Sequence, residues 1–452
     1  MPPAPDPQRV APRLKRVIGV PGLAFSCFNS IVGAGIFAVP ALAAALLGPA
    51  AILDYLLCAV LVGLMGLCFA EIGSRVAVSG GIYGYARVSC GPVVGGIAGT
   101  LLWSANCVFP SAAIANFLAD TLAISWPALD KAGPRTLFLA IAYVLFTFAN
   151  IRATRWGARL SVATAVLKLT PLVLLVVAGA FAIHGPNLHW TGIPSLKVMG
   201  QGAVLLFFIF MGVEGGLTAS GEVMDPARTV PRAVGIAFVL VCSLYIGLQL
   251  VAQGVLGPDL ATSKAPLVAT ATAAFGTWGG RCLTVAAVLS AVGYLSGDML
   301  CSPRSLYALA EAGQLPRKLA VVHPRFGTPV VALVVYSSLC FLVSISGSFR
   351  QLAIVSSSGT LLLYLICCIG LLRLRKRNVA MEGEPFRAPG GPFVPLLASA
   401  IMIGILTTLE LKELAAAAGL VLVSGVAYWI HDRLRSDPVA VSRVLFSDRG
   451  RP

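Results

Sequence analysis

Residues Asn29 to Pro40 read NSIVGAGIFAVP and set Gly33 and Gly35 inside an apolar run otherwise long enough to cross a bilayer as one helix. Glycine is a poor helix former. In lipid, a backbone group released from a helix finds no water, so non-helical backbone persists only where it lines a cavity or is buried in protein. Taken alone, the two glycines are explained equally well as small residues that let neighbouring helices approach. A second stretch, LLFFIFMGVEGGLTASGEV from Leu205 to Val223, is interrupted midway in the same manner, at Gly212, Gly215 and Gly216, with the acid Glu214 among them. The two interruptions together favour a pair of broken helices facing one cavity over two unrelated packing contacts.

The composition sets the environment. The chain has 452 residues, of which 58% are hydrophobic and 11% charged, with a mean hydropathy of +0.89. So few charges cannot cover a water-soluble surface of this size. Apolar runs of about 20 residues, enough for roughly 30 Å of hydrocarbon, recur along the sequence. Twelve transmembrane helices are expected, at 17 to 46, 50 to 73, 89 to 119, 136 to 150, 159 to 184, 199 to 221, 232 to 256, 279 to 303, 328 to 346, 350 to 372, 391 to 411 and 413 to 431. The net charge of +15 raises the question of nucleic acid, but the basic residues sort by loop. With a cytoplasmic N-terminus, 25 Lys and Arg fall on inner segments and seven on outer ones, leaving Lys168 inside a span. This positive-inside bias accounts for the charge without a nucleic-acid partner and places both termini in the cytoplasm of a multi-pass protein of the cell membrane.

Residues 1–16 are Pro-rich and basic, with no cleavage pattern before the first span, and read as a disordered cytoplasmic tail. Residues 432–452 form the second cytoplasmic tail. The eleven cysteines lie mostly in apolar segments without CxxC pairs and read as small packing residues. The absence of an N-x-S/T acceptor favours a bacterial inner membrane. No metal-ligand spacing occurs around the four histidines, so no cofactor is expected.

Helices 1–5 occupy residues 17–184 and helices 6–10 residues 199–377, and the interruptions fall in the first helix of each block. Because each block holds an odd number of spans, the two insert with opposite orientation, an inverted repeat with the discontinuous helices at its centre. Helices 11–12, residues 391–431, lie outside the repeat and read as peripheral. The glycines of GPVVGGIAG, Gly91, Gly95 and Gly99, have the spacing of a close helix contact and receive no ligand role.

Five segments in this order resemble the amino acid-polyamine-organocation (APC) superfamily of permeases. They are IVGAGIFAVP; FAEIGSRVAVSGGIYGYAR from Phe69 to Arg87; VLKLTPLVLL; FMGVEGGLTASGEVMDPARTVPRAV from Phe210 to Val234; and SLYALAEAGQLP with HPRFGTPV. The resemblance implies an all-α polytopic membrane protein with the LeuT-type 5+5 inverted repeat and discontinuous helices 1 and 6. It also implies transport of amino acids or related amines. In such a site the half-helix beginning near Gly33, Ala34 and Gly35 offers unpaired N–H groups and a helix N-terminus to a carboxylate, with Ile31 also among the substrate-binding residues. Carbonyls of helix 1 and of Met211, Gly212 and Val213 accept from an α-ammonium.

By the same resemblance, Phe208 stands where exchangers of arginine for agmatine carry an aromatic gate, Asn106 matches their asparagine in helix 3, and Glu214 their acid in helix 6. Base rates leave Phe208 open as a packing aromatic and Asn106 as a join between helices. Glu214, costly at membrane depth, is expected to sense protons or to secure the break. Asp298 in YLSGDML either lines the cavity, favouring a cationic substrate, or pairs with a polar neighbour. Lys168 stands where sodium-coupled relatives bind sodium, and a fixed ammonium there would repel that ion and could bridge the two broken helices; the alternative is a lysine that snorkels to the inner surface. Burial also equips it to load and unload a proton. Glu71 and Arg75, four residues apart, read as a structural helix pair.

The reading is a sodium-independent secondary transporter of amino acids, cationic amino acids or polyamines among them, working by alternating access as a proton symporter or an exchanger. The alternatives are a membrane-embedded enzyme and a channel, neither of which accounts for the paired breaks. The expected partners are an amino acid or amine substrate and the lipid bilayer, with the chain a monomer or homodimer. Relatives with a disulfide-linked heavy subunit use a cysteine between helices 3 and 4, and the segment from Asp120 to Arg135 has none.

Overall fold

A computed structural model describes residues 19–76, 81–152, 157–190, 192–212, 223–224, 226–311, 315–323, 327–380 and 385–434. Val213, Glu214 and both tail segments assigned from the sequence, apart from residues 432–434, lie outside the described residues. Among those described the chain is helical, without strands. The first half comprises α1 (Val20–Ile31), α2 (Val39–Leu47), α3 (Ala51–Arg75), α4 (Gly81–Cys90), α5 (Pro92–Trp103), α6 (Phe109–Ala123), α7 (Ala132–Arg152) and α8 (Gly157–Gly179). The second half comprises α9 (Leu196–Phe210), α10 (Pro226–Leu256), α11 (Pro266–Glu311), α12 (Val330–Ser346) and α13 (Phe349–Lys376), followed by α14 (Phe393–Thr407) and α15 (Leu411–Leu434).

Six helical runs among the described residues are long and apolar enough to cross a membrane, and five shorter apolar helices accompany them. Large apolar side chains point outward on the perimeter, such as Val144, Leu145 and Phe148 on α7 and Leu422 and Val423 on α15. Serines and threonines are instead buried, Ser356, Ser357, Ser358 and Thr360 among them on α13. A water-soluble bundle would cover its perimeter with polar and charged side chains instead.

Local chemistry explains the helix ends. Pro92 opens α5 after Gly91, whose φ of +94° suits glycine. Ser348 and Gln351 form a reciprocal capping box at the start of α13. The glycine spacing of α5 finds its packing partner in α4, since a Cβ on Gly95 would fall 2.8 Å from Arg87 Cβ and one on Gly99 2.9 Å from the Tyr83 ring. Helix α11 departs from its expected span of 279–303. It begins at Pro266 and kinks at Gly276, with φ +72°, so a further short segment precedes the span.

The Glu71–Arg75 pair forms as expected, and a third partner joins it. Glu71, fully buried in the last turn of α3, accepts from Arg75 Nε at 3.0 Å, from Arg375 Nε of α13 at 2.8 Å and from the Ala388 N–H at 2.9 Å. Arg75 reaches on to the Val379 carbonyl. These bonds tie one end of α3 to the end of α13 and to the segment that follows it. Removing one partner of a buried ion pair strands the other at a cost of about 3–5 kcal/mol. Glu71→Ala is therefore expected to lower the thermal midpoint of the detergent-purified protein sharply, and an unchanged midpoint would contradict this role.

Candidate functional site

Helix α1 stops where the glycines predict. Its last turn closes with the Val32 N–H on Phe28 O, after which Gly33 is extended at φ −93° and ψ −170°. A 3-10 turn, Ala34–Phe37, precedes α2. The first two N–H groups of such a turn, on Ala34 and Gly35, have no acceptor within it. Helix α9 stops in the same way. Met211 is extended at φ −68° and ψ 157°, and Gly212 has φ +115°.

The two stops touch. Ser30 Oγ donates to Gly212 O at 2.8 Å. A Cβ on Gly212 would lie 2.8 Å from Ser30 O, and one on Gly35 would lie 2.9 Å from the Phe208 ring. Glycine is thus required at 35 by close approach and at 212 by backbone conformation as well. Gly33 differs, since a Cβ there would meet nothing nearer than 4.0 Å.

The carbonyls freed at the end of α1 are taken up by side chains from other helices. Lys168 Nζ of α8 donates to Asn29 O at 3.2 Å and to Val32 O at 2.6 Å, so both bonds fall on the break of helix 1 rather than spanning the two broken helices. The Tyr245 hydroxyl of α10 lies 3.1 Å from Ile31 O and 3.0 Å from Ile209 O, one carbonyl from each broken helix. Sequence reading missed Tyr245 and Ser30. The available signal was a lone hydroxyl-tipped aromatic in the apolar run SLYIGLQ and a serine directly before the glycine motif.

The remaining expected residues divide. Phe208 is 7% exposed, packs on Gly35 and meets the Phe349 ring edge-on at 5.5 Å, so it is a packing aromatic directly at the break. Met211 is buried at the end of α9. Asn106 lies in a five-residue π turn, Ser104–Val108, between α5 and α6. Such turns are frequent at functional sites. Ser356 of α13 holds the turn through the Ala105 carbonyl at 2.6 Å.

Asp298 of α11 accepts from Ser302 Oγ at 2.6 Å and from Tyr336 OH of α12 at 2.7 Å. Both of its oxygens therefore have partners within the protein, as the polar-neighbour alternative anticipates.

The N–H groups of Ala34 and Gly35, for which no backbone acceptor is found among the described residues, and the carbonyls around them form a compact patch of both polarities in an apolar interior, of a size that suits a small zwitterion. Its geometry depends on Gly212. Gly212→Ala is expected to cost about 1–3 kcal/mol through backbone strain and the clash with Ser30 O. A thermal melt reads this cost, and a midpoint equal to that of the parent would show that the contact is slack.

Comparison with known proteins agrees with this architecture. Residues 18–428 match the amino acid permease family. The chain is 30% identical over 434 residues to an uncharacterized transporter of Mycobacterium tuberculosis, covering 94% of this chain and 93% of the relative. It is 28% identical to the serine/threonine exchanger SteT of Bacillus subtilis, covering 92% of this chain and 95% of the relative. It is 25% identical to the branched-chain amino acid permease BcaP of the same species, covering 94% of each. The family is one of membrane transporters, which closes the enzyme alternative. The chain belongs to the amino acid permease family.

Proposed function

We propose that this permease is a sodium-independent amino acid transporter that works by alternating access, as a proton symporter or an exchanger, on a LeuT-type inverted repeat of twelve helices with both termini cytoplasmic. The observation that carries the reading is the Lys168 ammonium seated on the Asn29 and Val32 carbonyls. A cation already fixed on these oxygens repels a sodium ion and neutralises the dipole end of α1.

The substrate carboxylate binds the N–H groups of Ala34 and Gly35 beside the open space at Gly33. Its ammonium binds carbonyls at the ends of α1 and α9, and the Phe208 ring covers it. Asn106 reads the side chain. Glu214 and Val213 keep the roles expected from the sequence. A cationic substrate would have to compete at Asp298 with the Ser302 and Tyr336 hydroxyls, which favours neutral amino acids over arginine, lysine or polyamines. The serine/threonine and branched-chain substrates named for two relatives agree with that preference.

Proteoliposome uptake of a labelled amino acid panel tests the reading, with a sodium gradient, a pH gradient or internal substrate imposed in turn. Internal substrate or an inward proton gradient is expected to drive uptake, and a sodium gradient is expected to leave it unchanged; stimulation by sodium would overturn the assignment of Lys168. Lys168→Met removes charge-assisted hydrogen bonds worth about 1.5–3 kcal/mol and is expected to reduce uptake by about tenfold or more. Wild-type uptake in this variant would remove the lysine from the mechanism.

A further inference from the structure

Asp54 stands in the first turn of α3, at the end opposite the Glu71 cluster. It is 0% exposed, and neither carboxyl oxygen has a hydrogen-bond partner among the described residues. The side chain is wedged between two other helices. A Cβ on Gly202 of α9 would fall 2.2 Å from Asp54 Oδ2 and 2.6 Å from the side chain of Leu47, the last residue of α2. Gly202 therefore leaves room for a carboxyl that nothing nearby binds.

The surrounding charges do not compensate it. The run Val39–Leu47 of α2 holds no titratable side chain, and α9 holds only Lys197, which is exposed at its start. Asp259, on the 3-10 turn Gly257–Thr262 against α2, is also exposed. On α3 itself, the Cys58 thiol donates to the Ala203 carbonyl at 3.4 Å. On α10, Cys242 is a thiol and the Tyr245 hydroxyl serves the two breaks. An isolated carboxylate buried without donors costs far more than a neutral acid in the same place.

We propose that Asp54 is a proton-binding site, occupied when α2, α3 and α9 are packed together and vacated when they part. The inference rests on the transporter reading for its direction. With the arginine-rich end of α3 cytoplasmic, Asp54 lies in the outer half of the membrane. There it adjoins α2 and α9, the half-helices that run from the outer side to the two breaks. Opening the site to the outside separates these helices from α3 and admits water. The Asp54 O–H bond then breaks, the proton passes to that water, and the carboxylate is hydrated. Closing expels the water and requires the carboxylate to take a proton back from the outer solution. External acid thus favours the closed outer face and external base the open one.

Asp54→Asn, permanently neutral and of nearly equal shape, separates this proton from others. In homoexchange across proteoliposomes at fixed internal pH, the wild-type rate is expected to vary with external pH by up to about tenfold per unit. The variant is expected to lose that dependence. An external-pH profile in Asp54→Asn identical to that of the wild type would overturn the proposal.

Infrared difference spectroscopy of the purified proteins at neutral pH supplies a readout independent of transport. The wild type is expected to show a protonated-carboxyl stretch that the variant lacks, and absence of that band would equally overturn the proposal. Because the band needs no substrate, failure of the amino acid assignment would leave it intact.

Discussion

The structure depends on one constraint, that every backbone group exposed inside the membrane must find a partner from within the protein. Interrupting α1 at Val32 and Gly33 frees carbonyls at a depth where an orphaned polar group costs several kcal/mol. Two helices supply donors to those carbonyls, α8 through Lys168 and α10 through Tyr245, while Ser30 of α1 donates in turn to the Gly212 carbonyl at the end of α9. Tyr245 is the most economical of these contacts, since its hydroxyl sits between carbonyls of both broken helices. A displacement of either helix changes the bonding of the other. Among the described residues the N–H groups of Ala34 and Gly35 are not served by these side chains.

How much of this was legible in the sequence follows from which constraints act locally. The stops at Gly33 and Gly212 were readable because glycine in mid-span is locally anomalous, and Lys168 because a charge in an apolar run has few explanations. Ser30 and Tyr245 were not readable, because a hydroxyl in a membrane helix most often bonds to its own preceding turn, as Ser358 does with Ile354 O at 2.7 Å. Only the third dimension shows which hydroxyl reaches another helix. The π turn at Ser104–Val108 was hidden for a related reason, since its added residue is accommodated by Ser356 and Gly359 on a helix some 250 positions away. Asp298 was visible as an acid in a span, but its partners Ser302 and Tyr336 required the packing of α11 on α12.

The two ends of α3 show how differently one helix can hold an acid. Glu71 has donors from two guanidinium groups and a backbone N–H, so its charge is fully compensated and binds α13 and the following segment to α3. Asp54 is equally buried and has no donor at all among the described residues. The first arrangement makes separation of the helices costly, because parting them strands charges. The second makes their closure costly unless a proton is supplied, because only a neutral acid fits. The proposed alternating-access cycle requires the two ends to respond to different conditions. In α3 that difference resides in two carboxylates seventeen residues apart. The ion-paired end holds its charge on three donors, and the bare end, by the proposal for Asp54, exchanges a proton when water reaches it.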